Sequence, residues 1–401
     1  MANAVLVSVP DISAAESMMT EPRPQATLAN WRQHPYSIWG FSHIDSLLPV
    51  SPIRTAAPVP LASGNALDLS GIGFDWQGQR RSVPQVLAET YTDGFLVLKD
   101  GSIAAETYIN EDAASRHIVF SVSKSITATL AGVLVEQGLL DPAAPVLTYV
   151  PEAQGSAYAD CMVRHVLDMS VSIRFVEDYV DPFGDVARYR VAMGWNPPGQ
   201  ITDTGGLHRF IASLPKGETQ HGERFHYVSP NSDMLGWIIE RASGSTVAEL
   251  LSRHIWQPMG MEHDAFITLD QKGAPRTAGG ICTSLRDLAR FGEMVRLKGT
   301  YGGKRIIPES WIDDILANGD SVAWSKGEMT GLYRHGRYRS KWYVPEPDSH
   351  LVCAIGIHGQ WIYIDRAKNL VVVKRSSHPV PSDEPTDCMI MAMFAAISAA
   401  A

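Results

Sequence analysis

The sequence predicts a mixed α/β (α+β) fold, in which one antiparallel sheet takes strands from both ends of the chain and helices occupy the middle. Residues 94–101 and 102–108 have the composition of two strands around the turn dipeptide Asp100-Gly101. Residues 351–374 contain further apolar, β-branched runs. Between these ends, residues 118–140 predict a helix that is apolar on nearly every face, which we expect to be surrounded by protein.

The N-terminal residues 1–61 predict an extended arm that wraps around a body formed by residues 62–401. The arm is rich in Pro, Ala and Ser, and aromatic side chains are spaced through it. Trp31 and Phe41 are two of them, and we interpret them as anchors in the core.

The first turn of the predicted central helix carries the pattern S-x-x-K, with Ser121 and Lys124 three residues apart. This spacing places both side chains on one helix face. A serine hydroxyl becomes a good nucleophile when a base takes its proton, and a buried lysine can be that base. Free N–H groups of the same turn could stabilise an oxyanion. The pattern therefore favours nucleophilic catalysis, and the alternative is a capping serine beside a solvated lysine.

A second S-x-x-K pattern lies at Ser213 and Lys216. Pro215 interrupts this turn and no long apolar helix follows, so the geometry of the pair is not specified there. The context favours Ser121 as the nucleophile.

Three further segments bear on a site. Residues 177–182 combine charge, an aromatic side chain and proline, which is typical of a loop that covers a cleft, although a plain connector has the same composition. Tyr227 comes just before a predicted helix at residues 232–240. Residues 278–294 predict a glycine turn, a cap at Thr283 or Ser284 and a helix, and packing alone would explain them.

Composition excludes several functional classes. The net charge of −9 comes without a basic stripe, which argues against nucleic acid and anionic membrane partners. The four cysteines lie far apart, and the histidines lack metal-ligand spacing, so we expect no disulfide framework, no metal and no cofactor. We found no secretory signal and no apolar run of membrane-spanning length, and we therefore expect a cytoplasmic protein.

Taken in order, Ser121-Val-Ser-Lys124, Tyr227, Gly279-Gly280 and Gly356-Ile-His-Gly-Gln360 resemble the serine β-lactamase and penicillin-binding protein superfamily. The likeness is to the class C and family VIII esterase branch, and within it to amide hydrolases of 6-aminohexanoate oligomers. It implies a β-lactamase/transpeptidase-like fold with an antiparallel sheet flanked by helices. The α/β lobe would comprise about residues 62–118 and 275–401, and the helical lobe about residues 119–274.

The resemblance also implies roles for residues of the site. Ser121 would be the nucleophile, Lys124 its base, and Tyr227 the group that relays a proton to the leaving group. The oxyanion hole would use the N–H groups of Ser121 and Ile357, with the N–H of His358 as the alternative. The resemblance further implies that Tyr179 is a lid residue that contacts the substrate amide. We also expect Arg190, Ser229 and His358 to contact the substrate.

Three departures from the family pattern qualify the expected substrate. The K-T-G lysine is absent, which counts against β-lactam and cell-wall substrates. Ser229 stands where an asparagine is expected, and Asn231 is an open substitute. Arg188 and Arg190 stand where an acid is expected to bind a substrate ammonium, so acidic or neutral substrate ends are favoured.

The resulting hypothesis is an amide and ester hydrolase that works through an acyl-enzyme. Its expected partner is a small-molecule amide or ester substrate, and a homodimer is left open. The alternatives are a carboxylesterase of the family VIII type with little amidase activity, and a non-catalytic binding protein on the same fold.

Overall fold

The computed structural model of the protein describes residues 25–199, 205–346 and 350–401. Its strands are β1 (Val50–Ile53), β2 (Gly73–Trp76), β3 (Gln79–Ser82), β4 (Thr92–Lys99), β5 (Ser102–Tyr108), β6 (His117–Ile118), β7 (Ala265–Thr268), β8 (Ile281–Thr283), β9 (Thr300–Tyr301), β10 (Lys304–Arg305), β11 (Arg337–Arg339), β12 (Trp342–Val344), β13 (Leu351–Gly356), β14 (Gln360–Asp365) and β15 (Leu370–Ser376).

The helices alternate with these strands and are concentrated in the middle of the chain. They are α1 (Tyr36–Gly40), α2 (Val83–Glu89), α3 (Val122–Glu136), α4 (Val163–Leu167), α5 (Asp185–Ala192), α6 (Leu207–Ile211), α7 (Pro230–Ser243), α8 (Val247–Leu251), α9 (Gln257–Met259), α10 (Leu285–Arg296), α11 (Glu309–Ala317), α12 (Ser321–Ser325) and α13 (Glu384–Ala400).

The main sheet has seven strands in the order β11-β12-β13-β14-β15-β4-β5. Each neighbouring pair is antiparallel, and β15 pairs with β4 over the register Leu370↔Lys99 to Lys374↔Phe95. Strands from both ends of the chain therefore meet in one sheet, and this confirms the predicted fold class. A second sheet has the order β1-β7-β8-β6.

The turns of the main sheet follow the local sequence. Asp100 and Gly101 both have positive φ, at 50° and 79°, as expected of the predicted two-residue hairpin. The run predicted from Leu351 is divided into β13 and β14, because His358 and Gly359 reverse the chain with φ values of 62° and 85°. The last helix begins at Glu384, where the Asp383 carboxylate caps it by accepting the N–H of Thr386.

Helices cover both faces of the main sheet. Side chains of β4 point alternately to the two faces of the sheet. Leu96 and Leu98 belong to the hydrophobic cluster that contains residues of α3 and α10, whereas Phe95 and Val97 belong to the cluster that contains residues of α13. Helix α10 fits so closely that a Cβ on Gly292 would lie 2.7 Å from Val371. The sheet is thus buried on both sides.

Helix α3 runs through the centre of the protein. Every side chain from Val122 to Leu134 is buried, which accounts for the absence of a polar face. Two buried tryptophans pack against it through hydrogen bonds: Trp311 Nε1 donates to Ala128 O at 3.2 Å, and Trp342 Nε1 donates to Thr129 Oγ1 at 3.1 Å. The helix is therefore held rigidly, and the position of its first turn is fixed.

Residues 25–61 of the predicted arm are anchored in the body, and residues 1–24 lie outside the described residues. Trp31 and Phe41 are fully buried. Strand β1 pairs with β7, so the range 119–274 also contains a strand of the second sheet. Because one hydrophobic core joins the arm, α3 and the main sheet, we infer that residues 62–401 fold as one domain.

The described residues contain no helix that is both long and apolar enough to cross a membrane. They also contain no group of three or more His, Cys, Asp or Glu side chains arranged to hold a metal ion. Three of the four cysteines are buried and Cys388 is half-buried, and all four are free.

Candidate active site

Ser121 lies at the start of the central helix, immediately after a sharp bend. Phe120 has a φ of 41°, which is unusual for a large side chain, and Ser121 then takes the helical conformation as the N-cap of α3. The bend presents Ser121 to a cavity while α3 continues into the core. Ser121 Oγ lies 2.6 Å from Lys124 Nζ, which is the pairing that the S-x-x-K spacing predicts.

Lys124 is deeply buried, with 1% of its surface exposed, so the alternative of a solvated lysine does not apply. Its Nζ also donates to Ala278 O at 2.7 Å. Burial lowers the pKa of Lys124 from 10.5 to about 7, with nearby Arg276 acting in the same direction. The carboxylates of Glu177 and Asp233 act in the opposite direction and raise it. Near neutral pH, a large fraction of Lys124 is therefore a free amine.

Tyr227 faces the same serine from the chain just before α7. Lys124 Nζ lies 5.1 Å from the centre of the Tyr227 ring. The Tyr227 hydroxyl interacts with those of Ser121 and Tyr343. Burial nevertheless raises the pKa of Tyr227, so that the phenol is protonated at neutral pH. Tyr227 is therefore placed to donate or pass on a proton close to Ser121 Oγ.

A buried polar network behind the lysine fixes its position. Arg276 and Asp233 form an ion pair that is almost fully buried, and Arg276 also donates to Tyr189 Oη at 2.7 Å. Asp233 Oδ1 accepts the N–H of Ala278 at 2.7 Å, and Ala278 O in turn accepts Lys124 Nζ. The residues around the glycine turn thus orient the Lys124 side chain, which packing alone would not explain.

Glu177 joins the covering loop to the site. It accepts the Tyr179 hydroxyl at 2.7 Å and the N–H of Ser229 at 2.9 Å. The Ser229 hydroxyl donates to the same carboxylate. These contacts hold Tyr179 and Ser229 beside the site, but they also occupy both hydroxyl groups.

Two cavities meet at Ser121. The inner cavity has a volume of about 20 Å³ and is lined by Arg32, Phe120, Ser121, Glu177, Tyr179, Val186, Tyr189, Arg190, Met193, Trp195, Ser229, Arg276, Ala278, Gly279 and Ile357. The outer cavity has a volume of about 610 Å³, and most of its surface is apolar. It is lined by Ser121, residues 175–180, His226, Tyr227, Glu328, Met329, Tyr343, residues 355–357, residues 380–382 and Asp387.

The end of β13 lies against Ser121. A Cβ on Gly356 would lie 3.0 Å from Ser121 N and 2.7 Å from Val119 O, so glycine is required for this approach. Ile357 follows and lines both cavities. The N–H groups of Ser121 and Ile357 have no acceptor among the described residues.

His358 is placed differently from Ile357. Its backbone N–H donates to Pro381 O at 2.8 Å, and its Nδ1 donates to His378 O at 2.7 Å. Burial lowers the pKa of His358 to about 3, so the imidazole is neutral. His358 is not among the described residues that line either cavity. Its N–H is therefore already used, whereas that of Ile357 remains available.

The first turn of α3 differs from expectation in one respect. The N–H groups of Val122, Ser123 and Lys124 donate to the carbonyls of Val119, Phe120 and Ser121 at 3.1, 2.9 and 3.0 Å. They are satisfied by the tight turn that the bend creates, and so they do not point to the cavity.

The two arginines after the covering loop have different surroundings. Arg190 lines the inner cavity, and its Nη1 donates to Tyr179 O at 3.0 Å. Arg188 is exposed, lies 3.6 Å from Asp185 and lines neither cavity. The expectation that both arginines face the substrate is therefore wrong for Arg188, because its position on α5 points to solvent.

Two other sequence candidates lie elsewhere. Asn231 is buried and accepts the Tyr158 hydroxyl at 3.0 Å, away from both cavities. In the second S-x-x-K pattern, Ser213 donates to Phe210 O and Lys216 pairs with Asp160, so its serine and lysine do not interact.

Comparison with known proteins identifies the family. The sequence model of the Beta-lactamase family matches residues 83–391. The chain is also 37% identical over 361 residues to the 6-aminohexanoate-dimer hydrolase of Paenarthrobacter ureafaciens, with 89% of each protein covered. The chain belongs to the β-lactamase family.

Solved structures show the same fold. A candidate 6-aminohexanoate-dimer hydrolase from Bacillus anthracis superposes with a TM-score of 0.86 at 23% identity, over 95% of this chain and 98% of that one. A family VIII carboxylesterase gives a TM-score of 0.58 at 16% identity, over 83% and 99%. The family match confirms the resemblance read from the motifs, and this β-lactamase-family chain is a hydrolase.

Sequence reasoning missed several groups of this β-lactamase-family site. The sequence indicated Glu177 only as part of a charged loop and Asp233 only as part of a predicted helix, and it gave no signal for Arg276. Arg32 was overlooked because it lies in the arm, far from the other residues in sequence. The available signal was its position next to Trp31, whose burial fixes where Arg32 lies.

Proposed function

We propose that this protein hydrolyses small carboxylic esters and amides through an acyl-enzyme on Ser121. The amides would be of the kind that links 6-aminohexanoate units in their oligomers. The observation that carries the proposal is the distance of 2.6 Å between Ser121 Oγ and the Nζ of a buried lysine whose pKa is lowered to about 7. The named relative from Paenarthrobacter ureafaciens supports an amide substrate.

In the first half-reaction, Ser121 Oγ attacks the substrate carbonyl carbon while its proton moves to neutral Lys124 Nζ. The carbonyl oxygen becomes an oxyanion, which the N–H groups of Ser121 and Ile357 stabilise. The bond to the leaving group then breaks, and the leaving nitrogen or oxygen takes the proton of the Tyr227 phenol, which Lys124 replaces. The products are the free amine or alcohol and the serine ester.

In the second half-reaction, water attacks the serine ester and gives up a proton to the Tyr227–Lys124 pair. Collapse of the tetrahedral intermediate breaks the bond to Ser121 Oγ, which recovers a proton from that pair. The carboxylic acid leaves, and the site returns to its starting state.

Trapping the intermediate tests this proposal. A slow ester substrate, quenched in acid during turnover, should add the mass of its acyl group to a peptide that contains Ser121. Ser121→Ala should show neither the adduct nor turnover, whereas Ser213→Ala should show both at wild-type levels. An adduct on Ser213, or turnover by Ser121→Ala, would overturn the proposal.

One observation favours a second candidate, a carboxylesterase with little amidase activity. The hydroxyl of Tyr179, which the resemblance assigns to the substrate amide, is donated to Glu177 instead. Amides have the poorer leaving group and need more help with protonation. Rates on an amide and an ester that share one acyl group separate the candidates, since the second predicts negligible amide turnover.

A further inference from the structure

The arm contributes a cation to the active site. Trp31 is fully buried, stacks on Phe120 with ring centres 6.3 Å apart, and donates its Nε1 to Trp195 O at 3.1 Å. Phe120 directly precedes the nucleophile. Because Trp31 is fixed there, the next residue, Arg32, is held at the inner cavity, where its Nη1 also donates to Trp195 O at 3.1 Å.

Arg190 reaches the same cavity from helix α5. It is held by Tyr179 O through its Nη1, and its guanidinium lies 5.8 Å from the centre of the Tyr179 ring. Both arginines line the inner cavity, and the pKa of Arg32 is lowered by burial and by the charge of Arg190. Bringing two guanidinium groups together costs energy unless an anion lies between them.

Among the described residues, neither Arg32 nor Arg190 forms an ion pair within 4.0 Å. Glu177 also lines the inner cavity, and with Asp178 it offsets part of the burial that lowers the pKa of Arg190. The Glu177 carboxylate, however, already accepts hydrogen bonds from Tyr179 and Ser229. The third arginine of the cavity, Arg276, is paired with Asp233. The outer cavity has the opposite character, because its charged lining is acidic apart from His226. Its acidic residues are Glu177, Asp178, Glu328 and Asp387.

We propose that Arg32 and Arg190 form a subsite for a carboxylate on the acyl part of the substrate, so that the preferred substrates are half-esters or half-amides of dicarboxylic acids. This inference rests on the proposed acyl-enzyme function. A carboxylate offers two oxygens to two guanidinium groups, which is a strong, charge-assisted arrangement.

The placement of Tyr227 decides which part of the substrate carries the carboxylate. Tyr227 lines the outer cavity and is not among the described residues that line the inner one. Since Tyr227 protonates the leaving group, the leaving group lies in the outer cavity. The acyl chain then extends past Ile357 into the inner cavity, and its free end meets the two arginines.

The test uses three p-nitrophenyl esters with six-carbon acyl chains that end in carboxylate, methyl or ammonium: the adipate half-ester, the hexanoate and the 6-aminohexanoate. For the wild type, we expect kcat/KM to be about tenfold to a hundredfold higher for the adipate half-ester than for the hexanoate. Arg190→Gln and Arg32→Gln should each remove most of this preference. Arg190→Asp should favour the 6-aminohexanoate ester.

Arg188→Gln is the matched control, because Arg188 lies on the same helix but is exposed and paired with Asp185. It should keep the wild-type preference. The same acyl chain is also tested with the charge moved to the leaving group, by comparing hexanoyl esters of 4-hydroxybenzoate and 4-methylphenol.

Each outcome decides between the hypotheses. Equal rates on the adipate half-ester and the hexanoate, unchanged in the arginine variants, would overturn the subsite and leave the hydrolase proposal intact. A carboxylate preference seen only on the leaving group would overturn the orientation. Failure to hydrolyse any ester, with no labelling of Ser121, would instead contradict the proposed function.

Discussion

The activity should depend on pH through Lys124, because only its neutral amine can accept the Ser121 proton. Burial places its pKa at about 7, compared with 10.5 for an ordinary lysine. The neutral fraction then rises from about one in eleven at pH 6 to about ten in eleven at pH 8. We therefore expect kcat/KM to rise about tenfold between these pH values and to level off above pH 8.

The direction of the pH dependence follows from the role of Lys124 as a base. A base with a lowered pKa is active above that pKa, so activity is lost as the pH falls through about 7. Lys124→Arg should be nearly inactive at every pH from 5.5 to 9.5, because its guanidinium stays protonated. Lys216→Arg is the matched control, since Lys216 belongs to the second S-x-x-K pattern and pairs with Asp160.

The assay is the initial rate on a neutral ester, whose own charge does not change with pH, in overlapping buffers at constant ionic strength. The titration of Asp387 must be distinguished from that of Lys124. Asp387 lines the outer cavity, and burial raises its pKa to about 7 as well. Asp387→Asn should keep the midpoint of the acid limb. A rate that climbs beyond pH 9 without a plateau, or a midpoint that disappears in Asp387→Asn, would refute the assignment to Lys124.

Three further predictions concern the neighbours of Lys124. Ser121→Ala should lower turnover by at least about a thousandfold while changing the unfolding free energy by no more than about 2 kcal/mol in denaturant titrations. Glu177→Gln should move the acid limb of the pH profile to lower pH, because the Glu177 carboxylate raises the pKa of Lys124; an unmoved limb would show that this charge does not reach the base. Tyr227→Phe should reduce hydrolysis of an amide by about 10²–10⁴-fold and that of an activated ester much less, and equal losses on matched substrates would argue against proton delivery by Tyr227.

Local patterns in the sequence were sufficient for the main strands at both ends of the chain and for the central helix. The turn at Asp100-Gly101 and the apolar runs near the C-terminus predicted the strands, because strand pairing and turn geometry depend on neighbouring residues. The apolar helix with S-x-x-K in its first turn predicted a pairing of Ser121 and Lys124, because three residues of helix fix that geometry. The family also followed from motifs alone.

Tertiary structure decided what surrounds those motifs. The pKa of Lys124 depends on burial and on Glu177, Asp233 and Arg276, which come from distant parts of the chain. The N–H of His358 is occupied because it donates to Pro381 O, whereas the N–H of Ile357 has no acceptor among the described residues. Neither can be read from spacing, because both are set by packing between elements.

The charged residues that line the two cavities were also only partly predictable from the sequence. The sequence indicated Arg188 and Arg190 together, but helix α5 turns Arg188 to solvent and Arg190 to the inner cavity. It gave no reason to consider Arg32, which reaches the site only because Trp31 is anchored beside Phe120. The sequence by itself therefore determined the fold class and singled out Ser121, Lys124 and Tyr227 as candidate site residues, since these follow from local spacing and order. Only the tertiary structure decided the pKa of Lys124 and the charges that line the two cavities, since long-range packing brings those groups together.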